Sequence, residues 1–415
     1  MRRWIPLLLI LAVLPARADL LVPMDLEQDD HLRAYGLTYH VLEERGEAWW
    51  LLNYRGGSFL LPDTPFARRD AASLGVRVET VSEAEKQAIF AEIEGANMER
   101  VLLEKAPRMA IYAPPNKQPW DDAVMLALEY AEIDYSVIYD EEVLRGDLDD
   151  YDWLHLHHED FTGQYGKFYS SQRNSKWYRQ QKRLYESMAA QAGYETVSEH
   201  KKAVARAIKA YVAGGGFLFA MCSATDTIDL ALAAEGVDIV AEAFDGDPPE
   251  AGYQERLDYG RCMAFENFTL ITSPMVYEHS DIDATPEASR RGEGRDWFTL
   301  FEFSAKFDPV PTMLTQDHAA VIKGFMGQCT SFREEFIKEH VTVMGEVEGA
   351  GEVRYLHGKS GRGTFTFLGG HDPEDHSHHV GDPPTDLSLH PHSPGYRLIL
   401  NNVLFPAAEK KERKT

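Results

Sequence analysis

Gly214-Gly215-Gly216-Phe217-Leu218-Phe219-Ala220-Met221-Cys222-Ser223-Ala224-Thr225-Asp226 is the stretch on which the fold turns. Residues 217–221 are uninterruptedly apolar and read as a buried strand. The glycine triplet stops a preceding helix, for which Ser198 is the expected cap. Val204, Ile208, Tyr211 and Val212 lie on one face of that helix. Thr225 or Asp226 is then expected to cap a second helix reaching about Ala234. Helix, glycines, strand, sharp turn and helix is the rhythm of a parallel α/β sheet.

The same rhythm extends to either side. Met109–Tyr112 reads as a strand, followed by a Pro-rich loop and a helix opened by Asp121 and Asp122. Tyr135–Tyr139 and Asp152–Leu156 are further strands, and the second runs straight into His157-His158-Glu159-Asp160. Residues 163–195 are polar and aromatic, as in a surface excursion. Residues 244–350 are rich in Asp, Pro and Gly and read as a long insertion with its own short strands. Val353–Tyr355 and Gly363–Leu368 form an expected hairpin, and Gly395–Phe405 a closing helix. Upstream, residues 19–105 form an N-terminal α/β unit. It has strands at Leu20–Val22, Ala48–Leu52 and Phe59–Leu61, a helix from His31 to Arg45, and a helix-like stretch from Ser82 to Leu103. The main domain is expected over 106–405, with a charged tail at 406–415.

The chain has 415 residues with 44% hydrophobic content, enough for a large core. Acids outnumber bases 67 to 42, for a net charge of -25, so the basic footprint of a nucleic-acid-binding protein is missing. Arg2 and Arg3, an apolar run from Trp4 to Pro15, and Ala16-Arg17-Ala18 have the order of a cleavable signal peptide over residues 1–18. That run is too short to span a bilayer comfortably, and no other run approaches the length needed. An exported chain is therefore expected, periplasmic or extracellular after cleavage near Ala18. Of its three cysteines, Cys222, Cys262 and Cys329, the pair expected to bridge, if any does, is Cys262–Cys329.

Ligands gather at the carboxyl ends of the strands in an open parallel sheet. Three polar groups fall at such ends: His157-His158-Glu159, Cys222, and His371-Asp372-Pro373-Glu374. Cys222, at a strand-to-helix turn, is placed as a nucleophile would be, with His371 as base and Glu374, or else Asp372, as orienting acid. The rival reading takes imidazoles as ligands of a divalent metal such as zinc, held by His157, His371 and His376. His157, His158, Glu159 and Lys117 are candidate contacts for a small-molecule, carbohydrate or peptide-like ligand. His390 and His392 read as solvated.

Residues 109–160, 198–234 and 361–405 resemble the class I glutamine amidotransferase-like superfamily. That family has a flavodoxin-like sheet, a Gly-x-Cys-x-Gly elbow and a downstream His-Pro-Glu. Here the elbow is Ala220-Met221-Cys222-Ser223-Ala224 and the second motif is His371-Asp372-Pro373-Glu374, one residue longer. His157-His158-Glu159-Asp160 stands where the family has a Gly-rich oxyanion segment, so the resemblance implies the fold more than glutaminase chemistry. The whole chain also resembles exported bacterial proteins labelled asparagine synthetase B, through Met24–Leu32, Leu51–Phe59 and His157–Gly166. Asparagine synthesis needs an N-terminal cysteine and a Ser-Gly-Gly-x-Asp-Ser loop. Position 2 is Arg and that loop is missing, so this activity is not expected. Three classes stay open: a hydrolase or transferase using Cys222 and His371, a metal-dependent hydrolase, and a non-catalytic binding protein.

Overall fold

The computed structural model describes residues 18–409, Arg45 excepted. All but the last residue of the expected leader, and residues 410–415 of the tail, lie outside the described residues. The first sheet has five strands, β1 (Asp19–Val22), β2 (Ala48–Leu52), β3 (Ser58–Pro62), β4 (Glu79–Val81) and β5 (Glu99–Leu103). Their order is β4-β1-β3-β2-β5, with antiparallel pairing throughout. The stretch expected to be helical from Ser82 to Leu103 divides into a helix, Glu83–Gly95, and β5. Ser82 and Glu85 form a reciprocal cap at the start of that helix.

The second sheet begins with β6 (Met109–Tyr112), β7 (Ser136–Ile138), β8 (Trp153–Leu156) and β9 (Phe217–Met221). It continues with β10 (Trp297–Leu300), β11 (Val321–Lys323), β12 (Phe332–Arg333), β13 (Thr342–Val347), β14 (Glu352–Ser360) and β15 (Gly363–Leu368). Five of these, in the order β7-β6-β8-β9-β15, are mutually parallel. In chain order that is second, first, third, fourth, fifth. β14 turns back antiparallel beside β15, and β13, β10 and β11 extend the sheet. The 244–350 segment is thus no detached module, because its strands complete this mixed sheet.

Local sequence explains most helix boundaries. The helix Val197–Gly214 is capped by Thr196, with Glu199 completing a capping box, so Ser198 lies inside the first turn rather than at the cap. The next helix, Ala224–Ala233, starts directly after Ser223 with no side-chain cap; Thr225 and Asp226 are within its first turn. The two sheets share one core: Tyr35 and Trp50 from the first unit are buried with Ile111, Phe219 and Leu400 of the second. The tail is tethered at its start, since Ala408 bridges Leu103 and the Glu409 N–H donates to Leu102 O at 2.8 Å. No helix among the described residues is long and apolar enough to cross a membrane.

Candidate metal centre

The carboxyl ends of β8, β9 and β15 meet because the three strands are neighbours in register: Leu156 pairs with Ala220, and Met221 with Leu368. The residues just beyond them, His157, Cys222 and His371, therefore converge. Backbone bonds fasten the turn: Cys222 N–H donates to Gly370 O at 3.1 Å, and Ala224 N–H to His157 O at 3.1 Å. Gly370 has φ +97°, and a Cβ there would lie 2.5 Å from Phe325, so only glycine fits this last step before His371.

Asp122 organises the β8 histidines. Its Oδ1 caps the helix Ala123–Tyr130 by accepting from the Val124 and Met125 N–H groups at 2.8 and 3.0 Å. The same oxygen lies 3.2 Å from His157 Nδ1 and 3.5 Å from His155 Nε2. Burial works to raise this carboxyl, but the adjoining His157 and His155 hold it well below the ordinary range. With Nδ1 turned to a carboxylate, His157 keeps its Nε2 free. That nitrogen is buried and has no hydrogen-bond partner.

His158 and His371 repeat the pattern. His158 Nε2 and both ring nitrogens of His371 are buried without partners. The rings of His157 and His158 stack with centroids 4.2 Å apart, and each lies 4.8 Å from the His371 ring. One nitrogen from each of the three lies within 4.8 Å of the others. Burial drives the His158 and His371 imidazoles well below their usual pKa, and the neighbouring His157 adds to the effect. They are held neutral, the form that ligates metal. An unpartnered buried polar group costs about 1–3 kcal/mol, and one such nitrogen from each of the three rings lies close to the other two here. A cation bound among them would take up those three lone pairs.

The cluster opens into a cavity of about 310 Å³, lined among others by Trp120, His158, Cys222, Gln328, His371 and His378. His378 lies between Asp121, 2.9 Å from Nε2, and Asp375, 2.9 Å from Nδ1. The Asp121 carboxylate chiefly, with Asp375, lifts its pKa to about 9. Cys222 has φ +51°, a left-handed conformation uncommon for a residue with a side chain. Its thiol is pushed up to about 12 by burial, despite N–H groups of Ser223 and Gln328 directed at it. The nearby Asp283 and Asp226 carboxylates act in the same direction as burial.

Several expected site residues lie elsewhere. Glu374 does not orient His371; its Oε2 is 3.1 Å from His390 Nδ1, and neither His371 nitrogen has a hydrogen-bond partner. His376 does not join His157 and His371 but faces Asp296, 3.6 Å from its Nε2. Lys117 is exposed and does not line the cavity, although its neighbour Trp120 does. Glu159 turns into a separate buried network, bonded to Tyr139 at 3.0 Å and to Lys201 at 3.4 Å. Cys262 and Cys329 are both free and buried, and no bridge joins them. His392 is exposed, as expected. The residues that sequence reasoning missed are Asp121, Asp122 and His378. The two aspartates looked like helix-opening caps, which one of them also is. His378 is one of six histidines in a single loop, with nothing local to single it out.

No family model matches the chain, and no curated protein does. Among solved structures, a cytoplasmic protein of Salmonella typhimurium aligns at TM-score 0.34 and 12% identity, covering 73% of this chain and 100% of that one. A second cytoplasmic protein, from Salmonella typhimurium LT2, aligns at TM-score 0.34 and 13% identity over 72% and 99%. A beta-galactosidase from Bacillus circulans sp. alkalophilus gives TM-score 0.24 and 11% identity over 73% of this chain and 32% of that one. Likenesses of this strength do not bear on function.

Proposed function

We propose that this chain is a metal-dependent hydrolase whose catalytic ion, zinc by preference, is held by His157, His158 and His371. One observation carries the reading: three imidazoles bring buried, unpartnered nitrogens within 4.8 Å of one another at the wall of a cavity. Three histidines leave a fourth position open on a tetrahedral ion, as catalytic zinc sites require. A bound ion of this kind lowers the pKa of its water to about 7 and polarises a carbonyl or phosphoryl oxygen. The chain's own residues supply the rest. Asp122 fixes the His157 ring, as a carboxylate behind a ligating histidine does. Trp120 and Phe168 stack as an apolar wall of the cavity, and Gln328, its amide N–H groups held by the Gly166 and Tyr277 carbonyls, lines it as well.

The parallel strand order, second-first-third-fourth-fifth, supports a flavodoxin-like fold and with it the class I glutamine amidotransferase-like resemblance. We read the site as a metal centre built where that family carries cysteine chemistry. The leader-like residues 1–18 support action in a periplasmic or extracellular space. Elemental analysis of protein purified without chelator tests the proposal. Bound zinc is expected, lost in His371→Ala and kept in His392→Ala. Protein that holds no metal, and gains none on zinc addition, sinks it.

A second reading rests on the left-handed Cys222, which shares the cavity with His371. Strained strand-to-helix turns present nucleophiles in this manner. It requires His371 to take the thiol proton, which can be tested by the pH dependence of alkylation.

A further inference from the structure

His371 belongs to two groups of ligand-type side chains. Besides its place with His157 and His158, it lies with Asp121 and His378, one atom from each being within 4.8 Å of the others. The Asp121–His378 pair is unusual in its geometry. Asp121 Oδ1 and His378 Nε2 are 2.9 Å apart. Neither atom, nor Asp121 Oδ2, makes a hydrogen bond, and all three are buried. The carboxylate attracts the imidazole as an ion pair, yet the two atoms are not aligned donor-to-acceptor. Two ligands of one ion stand in this way, since bonds of about 2.0–2.2 Å keep neighbouring ligand atoms roughly 3–3.5 Å apart.

The support behind the ligands is duplicated as well. Asp375 Oδ2 holds His378 Nδ1 at 2.9 Å, as Asp122 holds His157 Nδ1 at 3.2 Å. His157 and His378 thus each have a carboxylate behind them, the outer-shell device that fixes tautomer and ring direction. His371 has no such support. Both of its nitrogens are buried and unpartnered, so both are available.

We propose that the centre is binuclear, with a second divalent cation held by Asp121, His378 and the second ring nitrogen of His371. The inference rests on the proposed metal site and adds an ion to it. His371 then bridges the two ions as an imidazolate, its N–H proton passing to solvent when the second ion binds. The mixed nitrogen and oxygen donor set suits zinc or a similar borderline ion over magnesium or calcium, which prefer all-oxygen sites. In a hydrolase, two adjacent ions can hold both the attacking and the leaving oxygen of the substrate.

The test is zinc stoichiometry of the full chain by elemental analysis, after loading with zinc sulfate and gel filtration without chelator. Two ions per chain are expected in the native protein and in His392→Ala. One is expected in His378→Ala and in Asp121→Asn. One ion in the native protein overturns the second site and leaves the proposed function standing. None overturns both. Two ions that persist in both His378→Ala and Asp121→Asn place the second ion elsewhere and also overturn the inference. Cobalt(II) gives a reading that needs no variant: exchange coupling between two bound ions, seen as a weakened electron-paramagnetic-resonance signal at full loading, is expected. Two uncoupled ions count against the imidazolate bridge.

Discussion

The Cys222 N–H donates to the carbonyl of Gly370 at 3.1 Å. This bond continues the β9–β15 pairing one step past the end of the strands, into the turn where the site's side chains emerge. It brings the best-patterned strand of the sequence beside the histidine loop 149 residues further on, counted from Cys222 to His371.

Gly370→Ala is the simplest way to disturb that junction. A side chain at φ +97° with Phe325 2.5 Å away is strained in both backbone and contact. We expect a loss of at least about 1–3 kcal/mol in stability, read by urea denaturation. Zinc affinity should fall with it, because His371 follows directly. A variant as stable as the native chain would show that the turn is looser than described.

Asp122→Asn separates the outer carboxylate from its structural role. Asparagine still caps the helix Ala123–Tyr130, so melting should change little. The His157 ring loses its charged partner, and zinc affinity is expected to drop roughly 10–100-fold. Competition against a chromophoric chelator measures this. Unchanged affinity would mean that His157 does not ligate.

The Cys222 thiol should be inert at neutral pH. Burial raises it to about 12, so iodoacetamide should label the folded chain slowly at pH 7 and faster only in strong base or on unfolding. Cys222→Ser is expected to fold and to keep its metal. Rapid labelling at pH 7, slowed by His371→Ala, would favour the nucleophile reading over the metal one.

Acid should destabilise the protein through residues remote from the cavity. Burial depresses His357 to about 3, with a smaller effect from Lys359. Its Nδ1 is bonded to Thr366 Oγ1 at 2.9 Å. The unfolded chain takes up this proton near pH 6.5 and the folded chain does not, so the unfolded state binds more protons between about pH 6.5 and 3. Stability from this group is complete above pH 6.5 and declines as pH falls, by about 1.4 kcal/mol per pH unit in the window. Denaturation followed from pH 7 to 5 should show a shallower decline in His357→Gln. Parallel slopes for the two proteins would refute the assignment.

What was legible in the sequence was the local order of the main sheet. An apolar pentapeptide after a glycine-stopped helix can be little other than a buried strand, and strand periodicity located β6, β8, β9 and β15. The rim at the strand ends followed from the topology of parallel sheets, and His157, His158, Cys222 and His371 were all found from it. Boundaries set by hydrogen-bond choices were less legible, as with Thr196 capping in place of Ser198. So was the role of 244–350, because short irregular strands acquire their meaning only from a partner far along the chain.

The partners at the site were decided by the tertiary structure alone. Glu374 and His376 stand as near to His371 in sequence as His378 does. Yet His390, from later in the same loop, and Asp296, from the 244–350 segment, draw the first two away. Asp121 and Asp122 reach the histidines only because β6 lies beside β8. Sequence specifies side-chain chemistry and the period of each element through local sterics. Which nitrogen is left unsatisfied is settled by packing, since it depends on every neighbour that might have bonded it.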